Sequence, residues 1–389
     1  WLFIRAVNKK KSLIPASLFM ILSLYTYHAA RIVVPLLGLG LLVSYKESLR
    51  RNFKDYLFAG FIGLILLIPL VKDLAGPAGD SRVAGVVLFA DPGPVNRVNE
   101  QRGEHGDFSG LEAKILHNKP VNYGLAFLEN WSEHFWGEFL FLPGDEIQRN
   151  KVPETGQMFL VDILFIFVGL IAIAKASQGW GIVLWWLAIA PVAAALTFQS
   201  PHALRAHNMI VPFTIISAFG LVTILEWLRR QKKYLWVIGN LTLVILIALF
   251  FLRYEHMYWV HMAKEYPFSS QYGVKELVNY VEENEHKYNQ IMVTDRYDQP
   301  YILFLFYLKY RPQDFQKEHL LTPRDMFGFS TVRDFDKYVF TSITNWDRTR
   351  EEFRDALIVG TDEEIFEGTN IIKEIFGSNG YKYFQIVAN

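Results

Sequence analysis

Between residues 12 and 252 the chain alternates apolar runs of bilayer length with polar loops, and its Lys and Arg residues crowd into every second loop. A bilayer core takes about 20 residues of helix. No water inside that core satisfies a bare backbone, so such runs must be helical. Loops rich in Lys and Arg stay on the cytoplasmic side. Lys9, Lys10 and Lys11 precede the nearly uncharged stretch 12–45, and Lys46, Arg50, Arg51 and Lys54 follow it. As one helix that stretch would span about 50 Å. Two basic ends instead require a hairpin, with the polar patch 25–31 as its outer tip, although the tip holds neither Gly nor Pro.

From there the crossings alternate. Residues 56–71 run outward, 158–174 inward to Lys175, 181–196 outward, 209–228 inward to Arg229, Arg230, Lys232 and Lys233, and 235–252 outward. The expectation is a polytopic α-helical membrane protein with about seven transmembrane helices in residues 1–252. The chain opens WLFIRAVNKKK, which reads as the inner end of a helix that starts upstream.

Residues 74–157 are too polar to cross and are rich in Gly and Pro (GPAGD, ADPGP, LPGDE). They form an expected outer segment, with surface helices near 110–117 and 123–135. Phe127, Trp131, Phe135, Trp136 and Phe139 suit the headgroup layer. Beyond Arg253 the composition is that of soluble sequence. Val274, Leu277, Val278 and Val281 share a helical face within 271–287, and 300–310 reads as an apolar helix. Strands are expected at 290–294, 338–341, 356–359, 371–376 and 381–387. Residues 253–389 are therefore an α/β domain, extracytoplasmic by the count of crossings.

Composition removes several function classes. Lys and Arg total 39 and so do Asp and Glu, so there is no basic excess for nucleic acid. No cysteine is present, which excludes disulfides, thiolate metal sites and a Cys nucleophile. No P-loop, GxSxG or HExxH pattern occurs. The ten histidines are scattered, and His202 and His207, five apart, fall on different helix faces. No metal is indicated, although a divalent ion would suit the chemistry considered below. Asp162 reads as solvated at an outer helix end, and Asp295 and Asp298 as loop or capping residues.

The topology gathers three polar patches on one side. They are Tyr25–Thr26–Tyr27–His28 with Arg31; Arg82, Arg97, Asn130, Glu133, His134 and Asp145; and the loop TFQSPHALR at 197–205, with His202 and Arg205. Arg presents a planar fork that matches phosphate oxygens. Arg31 and Arg205 beside Tyr and His at helix breaks therefore fit a phosphate at headgroup depth. Snorkelling against bulk headgroups is the plainer role of each taken singly.

LSLYTYHAAR at 22–31, FLFLPGDEIQR at 139–149, SPHALR at 200–205 and QYGVKELVNYV at 271–281 stand in an order that resembles the GT-C glycosyltransferases. The nearer resemblance is to the bacterial dolichyl-phosphate-mannose–protein mannosyltransferase-like group, which includes the lipid A aminoarabinose transferases. It implies a GT-C-like helical domain at 1–252, with sugar transfer from a polyprenyl-phosphate donor to a protein, glycan or lipid acceptor at the bilayer. It also implies that Arg31 and Arg205 hold the donor phosphate, with His202 and Tyr27 supporting; Tyr25 and Arg82, from the same polar patches, are further candidates for substrate binding. The family's catalytic acid belongs to a first outer loop upstream of residue 1, and Glu133, Asp145 and Glu146 do not match its motif. The rival reading is a non-enzymatic polyprenyl-phosphate binder or flippase. A third is a structural or sensor protein worked by its C-terminal domain.

Overall fold

The computed structural model describes residues 1–9, 11–76, 85–176, 179–325, 329–366 and 368–389. It divides into two compact units, Trp1–Glu255 and His256–Asn389.

The first unit is helical. Its opening helices are α1 (Leu2–Lys9), α2 (Ile14–Thr26), α3 (Ala30–Ser44), α4 (Lys46–Arg51) and α5 (Phe53–Leu74). The polar segment folds as α6 (Gly93–Glu104), α7 (Leu111–Leu116), α8 (Lys119–Glu133) and α9 (Gly137–Phe141). Then come α10 (Asp162–Lys175), α11 (Gly181–Ile189), α12 (Val192–Ala195), α13 (Ile210–Arg229) and α14 (Lys233–His256).

Among the described residues, three helices are long and apolar enough to cross a membrane: Phe53–Leu74, His207–Arg229 and Lys233–Glu265. Their flanks agree with that use. On α5, Leu57, Phe61, Leu64 and Ile68 are exposed, and along α14 only Leu243 is buried. Such surface is costly in water and at home in lipid. The hairpin breaks where its polar tip is expected, because α2 stops at an extended Tyr27 and α3 starts at Ala30. Its two arms have 13 and 15 residues, shorter than a full crossing. The run at 181–196 is likewise divided, with Pro191 capping the short α12.

Two close approaches hold this unit together. A Cβ on Gly220 of α13 would lie 1.8 Å from the Phe165 carbonyl oxygen of α10. One on Gly169 would lie 2.3 Å from that of Ile216. Glycine thus lets the two backbones touch. In the same way α3 and α11 meet at Gly40, whose absent Cβ leaves room for the Trp185 ring. That indole donates to the Leu36 carbonyl at 2.8 Å.

The second unit contains a seven-stranded sheet in the order β2-β3-β4-β1-β5-β7-β6. The strands are β1 (Gln290–Val293), β2 (Leu320–Leu321), β3 (Val332–Phe335), β4 (Tyr338–Phe340), β5 (Ala356–Gly360), β6 (Ile371–Phe376) and β7 (Lys382–Ala388). The inner strands β4, β1 and β5 pair in parallel and the outer ones antiparallel. Every residue of β5 is buried, as expected of a parallel strand covered on both faces. One face packs on helix Val274–Asn284 through the expected Val274, Leu277, Val278 and Val281. Met292 and Ile358 turn to the other face, against Phe353 and Ile343. The expected strands are all present, while β2 and β3 carry no pattern that reads as strand.

Two expectations about single residues change. Phe139, read as a headgroup ring, is 4% exposed and packs with Leu140, Ala194, Met209 and Phe213. Asp162 is not simply solvated. Its carboxylate accepts from the Phe159 N–H at 3.1 Å and the Ser217 hydroxyl at 2.6 Å, tying the start of α10 to α13.

Candidate functional site

A loop between two helices must find partners for its backbone groups. The loop at 197–205 finds them in the polar segment. Leu88 N–H donates to the Leu196 carbonyl at 2.8 Å and Phe198 N–H to that of Val86 at 3.3 Å, a small bridge between Val87 and Thr197. The Ser200–Pro201 peptide is cis. Asn130 of α8 donates to the carbonyls of Ala195 and Thr197 at 3.2 and 3.0 Å. In return the Ser200 hydroxyl donates to the Asn130 carbonyl at 3.0 Å. Trp131 anchors α8 by an indole bond to the Ala188 carbonyl at 2.8 Å.

His134 and Asp145 complete this frame, and both are fully buried. His134 Nδ1 lies 2.8 Å from the Asn130 carbonyl oxygen, which can only accept, so Nδ1 carries the proton. Nε2 is then an acceptor and takes the His202 N–H at 3.1 Å. A second proton on the ring would destroy that bond. Burial pushes the His134 pKa down to about 4, against the opposing pull of the Asn130 carbonyl. Asp145 accepts from the N–H groups of Ile147 at 2.8 Å and Ala203 at 2.7 Å, and from the Asn150 amide at 3.0 Å. His202 is also buried. Burial, then the nearby Arg205 charge, lowers its pKa, while Asp145, 3.9 Å away, raises it.

Arg205 stands apart from this satisfied frame. Its guanidinium donates to the Thr197 hydroxyl at 2.7 Å and more weakly to the Gln199 side chain at 3.5 Å. Both partners are neutral, and a guanidinium carries five donors. Burial is the main influence lowering its pKa, and Tyr27 and Asp145 oppose it. Arginine nevertheless stays charged. The result is a half-buried cation whose hydrogen-bonded partners bring no countercharge. Glu133, next to His134 in the chain, has a buried Oε2 with no hydrogen-bond partner among the described residues. Its pKa is raised, first by burial and then by Glu129.

The residues picked from the sequence divide accordingly. Tyr27 lies near Arg205, because α3 packs on α11 and α12 and carries the hairpin tip to the loop. Arg31 turns back on its own hairpin, to the Leu24 carbonyl at 3.1 Å and His28 Nδ1 at 2.8 Å, and shares neither partner with Arg205. The Tyr25 hydroxyl donates to the Leu66 carbonyl of α5. Arg82 lies outside the described residues. His202 faces inward to Asp145 and His134, so it shapes the loop. Thr197, which orients the guanidinium, carried no sequence signal beyond its place in TFQSPHALR.

Among the described residues no three His, Asp or Glu side chains form a metal-ligand set. Compared with protein-family models, curated proteins and solved structures, the chain matches none.

Proposed function

We propose that this chain belongs to a multi-pass transferase of the cell membrane, which takes a sugar from a polyprenyl-phosphate carrier at the extracytoplasmic surface. In this reading α2, α3, α10 and α11 with α12 join the three long helices to make seven crossings, and the sheet domain lies outside. Arg205 holds the carrier phosphate, with Tyr27 beside it.

The observation that carries the reading is the Arg205 guanidinium, partly desolvated, fixed by Thr197 and, among the described residues, bonded only to neutral groups. A cation so placed gains most from an anion that supplies the missing charge. Phosphate fits the fork with two parallel bonds. When the sugar leaves its carrier, negative charge grows on the phosphate oxygens, and a fixed guanidinium stabilises that charge without reorganising. The loop frame of His134, Asn130 and Asp145 provides the fixity. Sugar transfer also needs a base for the acceptor hydroxyl.

A carrier-lipid binder or flippase would need the same cation. The two separate on product. Reconstituted with a panel of polyprenyl-phosphate sugars, a transferase releases free polyprenyl phosphate in step with acceptor glycosylation, and Arg205→Ala abolishes it. Donor binding with no turnover on any acceptor tested in the full-length protein favours the binder.

A further inference from the structure

At the start of the second unit the helical path widens. Met257–His261 form one π-helical turn, followed by Met262–Glu265. On a regular α-helix, positions five apart diverge by about 140° around the axis. The wider i→i+5 turn returns them to one face, and such turns gather at functional positions. His256 and His261 meet in this way, with ring centroids 5.0 Å apart and Nε2 atoms 3.3 Å apart.

The second contact concerns the proton. His261 Nδ1 lies 3.3 Å from Glu265 Oε1, one helical turn on. A carboxylate can only accept, so it keeps the ring proton on Nδ1 and leaves Nε2 as a lone pair. That lone pair faces the Nε2 of His256. Zinc binds imidazole nitrogen at about 2.0–2.1 Å in tetrahedral geometry, which sets two ligating nitrogens roughly 3.3 Å apart. The carboxylate behind one imidazole is the arrangement that orients metal-bound histidines and raises their basicity.

We propose that His256 and His261 form a two-histidine site for a borderline transition-metal ion, Zn²⁺ above all, with Glu265 as a positioning residue. Imidazole nitrogen suits zinc, copper and nickel and is a poor match for magnesium or calcium. The site has two protein ligands, leaving the remaining positions to water or an incoming donor. Both residues lie at the protein surface, and the His261 side chain is 39% exposed. The site does not rest on the transferase reading.

The test is competition between the chain in lipid nanodiscs and a chromophoric chelator for added ZnCl₂. Wild type should bind one equivalent more than His256→Ala or His261→Ala. Glu265→Gln should keep that equivalent but hold it roughly 10- to 100-fold more weakly. Circular dichroism of each variant checks that these exposed substitutions leave the helix intact. Equal zinc stoichiometry and affinity in wild type and both alanine variants would overturn the site. The pair would then be an ordinary Nε2–H···Nε2 hydrogen bond.

Discussion

At the scale of single residues, the loop at 197–205 rests on a neutral histidine. The His134 ring binds its second proton near pH 6.5 when unfolded and near 4 when folded. Between those values the unfolded chain holds more protons, so stability falls as pH falls, and above 6.5 this contribution is complete. The full effect is on the order of 3 kcal/mol, at about 1.4 kcal/mol per pH unit. Thermal unfolding at pH 7.5 and 4.5 should show it. His134→Leu should be less stable at pH 7.5, because the His202 N–H loses its acceptor at a cost of about 1–3 kcal/mol, but it should lose less on acidification. An equal acid-induced loss in wild type and variant would contradict the neutral-histidine frame. The sequence marked Asn130, His134 and Asp145 only as polar residues of a long segment. Their role became legible with the fold, because the loop groups they bind lie more than 50 positions away, where no local pattern reaches. Arg205 and Tyr27 stood out in the sequence because a cation and an aromatic at a helix break already carry a chemical meaning.

At the scale of elements, the tightest joint is α10 against α13. Gly220→Ala places a methyl on the Phe165 carbonyl, so the helices must part. The expected loss is about 1–3 kcal/mol, the usual cost of overpacking. Gly124→Ala in α8 is the control, since nothing lies within 4 Å of its Cβ position. It should be neutral or up to about 1 kcal/mol stabilising. Melting temperatures in detergent compare the two, and an undisturbed Gly220→Ala would mean that the helices pack less closely. Helix positions were well read from apolar runs, because burial in lipid or protein writes itself into composition. Helix ends were not. Pro191 divides the run at 181–196, and that break depends on distant side chains taking the freed carbonyls, Trp131 that of Ala188 and Asn208 that of Ala190. The His256–His261 pair was unreadable for a related reason, since at α-helical pitch residues five apart fall on different faces and only the π-helical turn brings them together. Short β2 and β3 rely on pairing with one another and with β4, not on any alternation of their own.

At the scale of the molecule, the proposed sidedness is open to chemical labelling because the chain has no cysteine. Ser109→Cys and Glu283→Cys, both at exposed positions, should react with an impermeant maleimide from outside intact cells, and Glu47→Cys should react only after lysis. Labelling of position 47 from outside would reverse the topology and remove Arg205 from the surface where a carrier sugar would be presented. The most direct measurement of the central claim is phosphate recognition itself. Decaprenyl phosphate is titrated into the chain in nanodiscs, for wild type, Arg205→Ala and Arg205→Lys, with decaprenol as the uncharged control. Wild type should prefer the phosphate to the alcohol. Both variants should lose that preference by tenfold or more, about 1.4 kcal/mol, because an ammonium cannot replace the two-pronged guanidinium. Undiminished binding of decaprenyl phosphate by Arg205→Ala, or the same affinity for phosphate and alcohol in wild type, would contradict the claim that this loop holds a lipid phosphate.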